Sequence, residues 1–241
     1  MQKLSKILYP KDKQDKNYRL SLEVKMSPIK RFYTAFFLIL SLGLAGISGV
    51  KAELIKGRDY AVLLSPQPTT SGDKIEVLEF FWYGCPHCYK LHPLIRSWLK
   101  KVPKDVNFKY IPAIFRKNWI PGAKTFYTLE ILGEKDKLHD KIYDAIHIEK
   151  IDLTNEKQLF NWVEKQGVDR KKFISVYNSF SVVNKSSQSS QMSRKYGLKG
   201  VPSLVVDGKY LISGKMGGTP QETIKTLDQL INKVRREKTK K

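Results

Sequence analysis

Glu79-Phe80-Phe81-Trp82-Tyr83-Gly84-Cys85-Pro86-His87-Cys88-Tyr89-Lys90-Leu91 decides how this chain is read. Cys85 and Cys88 are the only cysteines in 241 residues. Before them, residues 75–82 form a short, mostly apolar run, as expected of a strand buried on both faces. After them, Leu91, Leu94, Ile95, Trp98, Leu99 and Val102 recur at helical spacing until Pro103 stops the pattern. Pro86 suits a first helical turn, where its missing N–H leaves nothing unpaired. Cys85 is therefore expected at a helix N-terminus, where free N–H groups and the macrodipole stabilise an anion. A thiolate there is acidified, and His87 adds a donor or a positive charge. Cys88, one turn in, is expected to be more buried and less reactive.

Other uses of two cysteines fit less well. A structural disulfide across two residues closes almost no loop and gains little entropy. A structural zinc site needs four ligands, and no second pair accompanies these cysteines, even with His87 or His92 added. Inert core thiols do not suit the Gly-Cys-Pro-His setting. Glu79 interrupts the apolar strand six residues before Cys85; a buried carboxylate is costly unless neutral or paired, so its pKa is expected to rise.

The strand, Cys-Pro-His-Cys and helix resemble the active site of the thioredoxin superfamily, in the version found in the DsbA family of periplasmic dithiol oxidases. Leu78-Glu79-Phe80-Phe81 is similar to the strand before that family's motif, Gly200-Val201-Pro202 to its cis-proline loop, and Asp207-Gly208-Lys209-Tyr210 to the hairpin that follows. The resemblance runs from Glu53 to the C-terminal helix. It implies an α/β fold, a thioredoxin-like mixed sheet with an inserted helical domain. Its parts would be 53–117 and 198–241 for the thioredoxin-like domain and 118–197 for the insertion.

The same resemblance implies the chemistry. Cys85 would be the attacked sulfur and Cys88 would complete the resting disulfide, with Pro86 and His87 between them. That disulfide is the redox group, so no cofactor is expected. Glu79 would lie beneath the site and ease proton movement, with Lys109 able to pair with it. Val201 and Pro202 would pack against the disulfide and present backbone groups to substrate. Reduced secreted proteins would be the substrates, and a DsbB-like, quinone-linked membrane protein would restore the disulfide. His92 departs from the pattern, because the family often has a second acid there. The competing readings are a disulfide isomerase or reductase, and a peptide-binding chaperone with a structural disulfide. Isomerases of this type carry a dimerisation domain that no segment here supplies, so a monomer is expected.

The rest of the chain fits an exported protein. Residues 1–25 are polar and lysine-rich, an over-extended or dispensable leader, and Met26 opens a second beginning with Lys30 and Arg31 as a basic start. Residues 32–50 carry no charge, and Val50-Lys51-Ala52 offers small residues to a signal peptidase, so 26–52 reads as a signal peptide. The competitor is a membrane anchor, but Gly43, Gly46, Ser48 and Gly49 leave a strongly apolar part of only h-region length. Either way the folded part lies where disulfides persist, in the periplasm.

The chain carries +21 overall; from residue 53 onward 34 basic side chains face 20 acidic ones, a net +14. The lysines are spread over many segments without a nucleic-acid motif, so no nucleic-acid partner is expected. Tyr60–Leu64 reads as an edge strand and Val106–Ile114 as another strand, and Pro93 is expected to kink the motif helix. Four apolar patterns between 118 and 177 read as helices, and the serine-rich 185–191 reads as a linker or a polar helix. Asp207-Gly208 marks a hairpin, Thr219-Pro220-Gln221-Glu222 a capped helix start, and the basic tail after Val234 a frayed end.

Mass spectrometry of the exported protein should find Glu53 first; a mature protein that keeps residues 32–50 in the membrane fraction would contradict the cleavage.

Overall fold

Seven consecutive residues of β2 (Ile75–Phe81) are buried, which requires cover on both faces of the sheet. The computed structural model describes residues 53–240, so the expected leader and signal segment lie outside the described residues. β2 sits inside a five-stranded sheet of order β1-β5-β4-β2-β3, with β1 at Ala61–Val62, β3 at Val106–Pro112, β4 at Ser203–Val206 and β5 at Tyr210–Ser213. β3 runs parallel to β2, and β4 runs antiparallel to it. The short strand around Ala61 is an edge, paired only with β5.

Alternation along β2 sends its side chains to two layers. Ile75 and Val77 pack with Leu91 and Ile95 of α1 (Pro86–Leu99) and with Leu227, Leu230 and Ile231 of α7 (Pro220–Thr239). Leu78 and Phe80 pack on the other side with Tyr196, Leu198 and Val205. Helix α1 continues through Pro93 to Leu99.

A short 3-10 turn at Lys117–Trp119 and five α-helices separate β3 from β4: α2 (Ile120–Leu132), α3 (Lys135–His147), α4 (Glu156–Lys165), α5 (Arg170–Tyr177) and α6 (Phe180–Lys195). Local chemistry sets their ends. Asn155, Asp169 and Ser179 each accept a backbone N–H at the start of α4, α5 and α6. Gly133 ends α2 at φ 75°, a conformation that favours glycine. The serine-rich run is helix, not linker. Ser189 donates to the carbonyl of Pro112 and Ser193 back-bonds to Ser189, so small hydroxyls let α6 lie close against the end of β3.

Asp207 and Gly208 take φ of 51° and 63°, the two positive values of a type I′ hairpin. A Cβ on Gly208 would run into the Gln67 carbonyl. The capping box of Thr219 and Glu222 is present.

The expected frayed tail is corrected. Helix α7 runs to Thr239 because its basic end is tied down: Arg235 pairs with Asp105, and Glu237 accepts from Lys209 and Tyr210.

Leu230 is fully buried between α7 and the sheet. Leu230→Ala should cost about 2–5 kcal/mol in urea unfolding, with the midpoint moving and the slope unchanged.

Candidate active site

Cys85 is the N-cap residue of α1, in extended conformation (φ −87°, ψ 117°), and Pro86 occupies the first turn. Its N–H donates to the Trp82 carbonyl at 3.0 Å, and its carbonyl accepts from Tyr89 N at 3.0 Å. The backbone N–H groups of His87 and Cys88 therefore face its sulfur. Cys85 is 7 % exposed and Cys88 fully buried, both as free thiols.

Their acidities diverge. The Cys88 thiol donates to the Cys85 sulfur, the largest effect on Cys85; with the backbone donors and His87 it outweighs burial and brings the pKa down to about 6. Burial pushes the Cys88 thiol well above its ordinary range, and the neighbouring Cys85 adds to the rise. At neutral pH the pair holds one thiolate, on Cys85. His87 is exposed beside it.

Val201-Pro202 is a cis peptide bond, and the Cys85 sulfur lies 3.5 Å from the Val201 carbonyl. The structure thus brings Cys85, Pro86, His87, Cys88, Val201 and Pro202 to one place. Beside them Trp82 stacks on Trp119, ring centroids 4.3 Å apart and only 3° from parallel. Gly84 sits against that stack, where a Cβ would collide with the Trp82 ring.

Glu79 lies beneath. Neither carboxylate oxygen has a hydrogen-bond partner, and burial raises its pKa to about 8, so it is neutral at pH 7. The expected pairing with Lys109 is corrected. Lys109 lies opposite Leu78 in the parallel ladder, on the other face of the sheet from Glu79. It pairs instead with Glu76 at 2.6 Å. Burial alone would raise the Glu76 pKa, but Lys109, Ser71 and Thr70 hold it below the ordinary carboxylate value. One strand therefore carries a satisfied acid on one face and an unsatisfied one on the other.

Residues 118–227 match the family description DSBA-like thioredoxin domain. The thiol:disulfide interchange protein DsbA of Burkholderia cepacia is 41 % identical over 204 residues, which are 83 % of this chain and 96 % of that one. The chain belongs to the DsbA family. The DsbA of Pseudomonas aeruginosa strain PAO1 is 39 % identical over 197 residues, 80 % of this chain and 93 % of that protein. The crystal structure of Pseudomonas aeruginosa DsbA superposes with TM-score 0.73 at 39 % identity, over 78 % of this chain and 97 % of that one. NmDsbA1 of Neisseria meningitidis gives 0.70 at 30 % identity, over 78 % and 98 %.

Within this DsbA frame several residues escaped the sequence reading. Tyr83 is buried with its hydroxyl 2.7 Å from His139 Nδ1, and His147 Nε2–H donates to the Tyr83 carbonyl at 2.8 Å. His139, Tyr143 and His147 recur every four residues, a stripe on one side of α3 that periodicity could have flagged.

The pKa values predict opposite pH responses. A depressed Cys85 pKa stabilises the reduced fold fully above the unfolded value of 9.0, and that stabilisation is lost as pH falls toward about 6. Over that window the reduced form should lose about 1.4 kcal/mol per pH unit relative to the disulfide form, read by denaturant melts of both. Glu79 acts the other way: its raised pKa makes stability fall as pH rises from 4.5 to about 8. Glu79→Gln should therefore stabilise the protein at pH 7 by roughly 1–3 kcal/mol and flatten that slope; an unchanged slope would show that Glu79 is ionised or paired.

Proposed function

We propose that this DsbA-family chain is a periplasmic thiol:disulfide oxidoreductase that donates a Cys85–Cys88 disulfide to reduced secreted proteins. The observation that carries this is the split between the two sulfurs, one acidified at a helix N-terminus and one buried and protonated.

The exchange follows from that split. A substrate thiolate attacks Cys85 Sγ; the Cys85–Cys88 bond breaks, and its electron pair stays on Cys88 Sγ, which takes up one proton. The second substrate thiolate then attacks the first substrate sulfur. The substrate disulfide forms, and Cys85 leaves as a thiolate. Two electrons have moved from substrate to protein. Cys85 is a good leaving group because its thiolate is stabilised. Stabilising the thiolate stabilises only the reduced protein, which makes the disulfide oxidising; for DsbA itself that behaviour is established rather than inferred from this site.

Other residues support the exchange. Pro86 keeps the N-terminal turn free of a competing donor, and His87 stabilises the anion. Glu79 is protonated at pH 7 and near enough to Cys88 for its ionised form to raise that thiol's pKa, which makes it a proton source for the leaving sulfur. Val201 and Pro202 form the wall against which an extended substrate lies. Residues 118–197 act as a helical insertion in a thioredoxin-like domain, and the protein works as a monomer with no cofactor. A DsbB-like, quinone-linked membrane protein accepts its electrons.

Cys85→Ser should abolish oxidation of a reduced, unfolded substrate. Cys88→Ser should accumulate mixed disulfides with substrates, visible on non-reducing gels, because Cys85 can no longer be released by a thiol of the protein itself. Adducts with Cys85→Ser and none with Cys88→Ser would reverse the assignment. Rapid insulin reduction together with efficient rescue of a scrambled substrate would point to an isomerase instead.

A further inference from the structure

Trp82 to Cys85 form a tight turn, closed where the Cys85 N–H donates to the Trp82 carbonyl at 3.0 Å. The peptide bond between Tyr83 and Gly84 is the middle of that turn. Such a middle peptide has two orientations related by a half rotation, and one of them needs positive φ at the third residue, here Gly84. Gly84 keeps its φ outside that range, yet a glycine enters it at no steric cost. The Trp82 ring explains why position 84 is small. The same missing side chain leaves the peptide free to flip unless something outside the turn holds it.

The last residue of α3 does so. His147 Nε2–H donates to the Tyr83 carbonyl at 2.8 Å, and that carbonyl belongs to the middle peptide. A carbonyl can only accept, so Nε2 carries a proton whatever the state of Nδ1. The side chain of Tyr83 is anchored separately, its hydroxyl 2.7 Å from His139 Nδ1. His147 is in turn aimed from the far side of the cysteines. Its ring stacks on Tyr89, centroids 4.5 Å apart and 8° from parallel, and the Tyr89 hydroxyl donates to Asp144 at 2.9 Å. Tyr89 follows Cys88 directly, and its N–H closes the first turn of α1 onto the Cys85 carbonyl. One imidazole thus grips the chain just before the first cysteine and just after the second.

We propose that His147 is a positioning residue that locks the Tyr83–Gly84 peptide and so holds Cys85 in place in the reduced protein. This role belongs to the oxidase reading above and rests on it. In the oxidised protein the Cys85–Cys88 bond also ties Cys85 to α1. In the reduced protein only non-covalent contacts do, so the lock counts for more there. A contact that stabilises the reduced form more than the disulfide form makes the disulfide a stronger oxidant. The turn serves both sulfurs, since the Trp82 N–H at its start is a donor to Cys88. His147 touches no substrate and acts only through the backbone it fixes.

The test sets wild type, His147→Ala and His147→Gln at redox equilibrium with glutathione, where two glutathione thiols are oxidised as one protein disulfide is reduced. His147→Ala should shift that equilibrium toward the protein disulfide by about 2- to 10-fold, the worth of one hydrogen bond. The midpoint of Cys85 alkylation against pH should rise in the same variant, and denaturant melts should show a larger loss in the reduced form than in the disulfide form. His147→Gln, which keeps a side-chain N–H donor, should recover most of the shift. Should His147→Ala fail to fold, His147→Leu keeps packing against Tyr89 without the donor and should show the same displacement. An equilibrium and alkylation profile unchanged in both donor-free variants would overturn the lock. Equal losses of stability in the two redox forms would overturn it too, by reducing His147 to general packing. A wild type that equilibrates with glutathione yet oxidises no reduced substrate would sink the oxidase reading, while the contrast between His147→Ala and His147→Gln would still support the lock.

Discussion

A negative sulfur at the first turn of α1 is the interaction on which the rest of this protein depends. The charge is held by backbone N–H groups that the helix leaves unpaired and by a thiol donor from Cys88. Both donors are fixed only if the helix start is fixed. Pro86 pre-sets the first turn, and the neighbouring loop carries Val201 to within 3.5 Å of the sulfur. β2 delivers the cysteines to that point, and its seven buried residues anchor it from both sides.

The two acids of β2 show how a sheet separates stability from chemistry. Glu76 gathers Lys109, Ser71 and Thr70 on one face, so its charge is compensated and its role is structural. Three residues on, the pleat turns Glu79 toward Phe81, Tyr110 and the cysteines, where it finds no partner. A buried acid without a partner is an expense that stability alone does not explain.

Much of this was legible in the sequence. The cysteine spacing, Pro86, the Asp207-Gly208 turn and the capping box at Thr219 are local signals, and each names its own geometry. The partner of Lys109 was not legible, because it depends on the ladder register that places Lys109 beside Leu78. Nor was the tail: seven basic and polar residues look frayed until Asp105 and Lys209 arrive from distant segments to pair with them. His139 was hidden for the same reason, since its contacts with Tyr83 and His92 span 56 and 47 positions in the chain.

The Gly84 contact with the Trp82–Trp119 stack constrains how this loop can change over time. The obstacle is space, since the ring Gly84 faces is itself held in place by a second indole. Any side chain at 84 therefore has to wait until Trp82 or Trp119 has been replaced by something smaller. The reverse order passes through a protein whose active-site loop is forced out of place. Substitution here is a one-way street with a fixed sequence of steps, and the three positions should be inherited as a set.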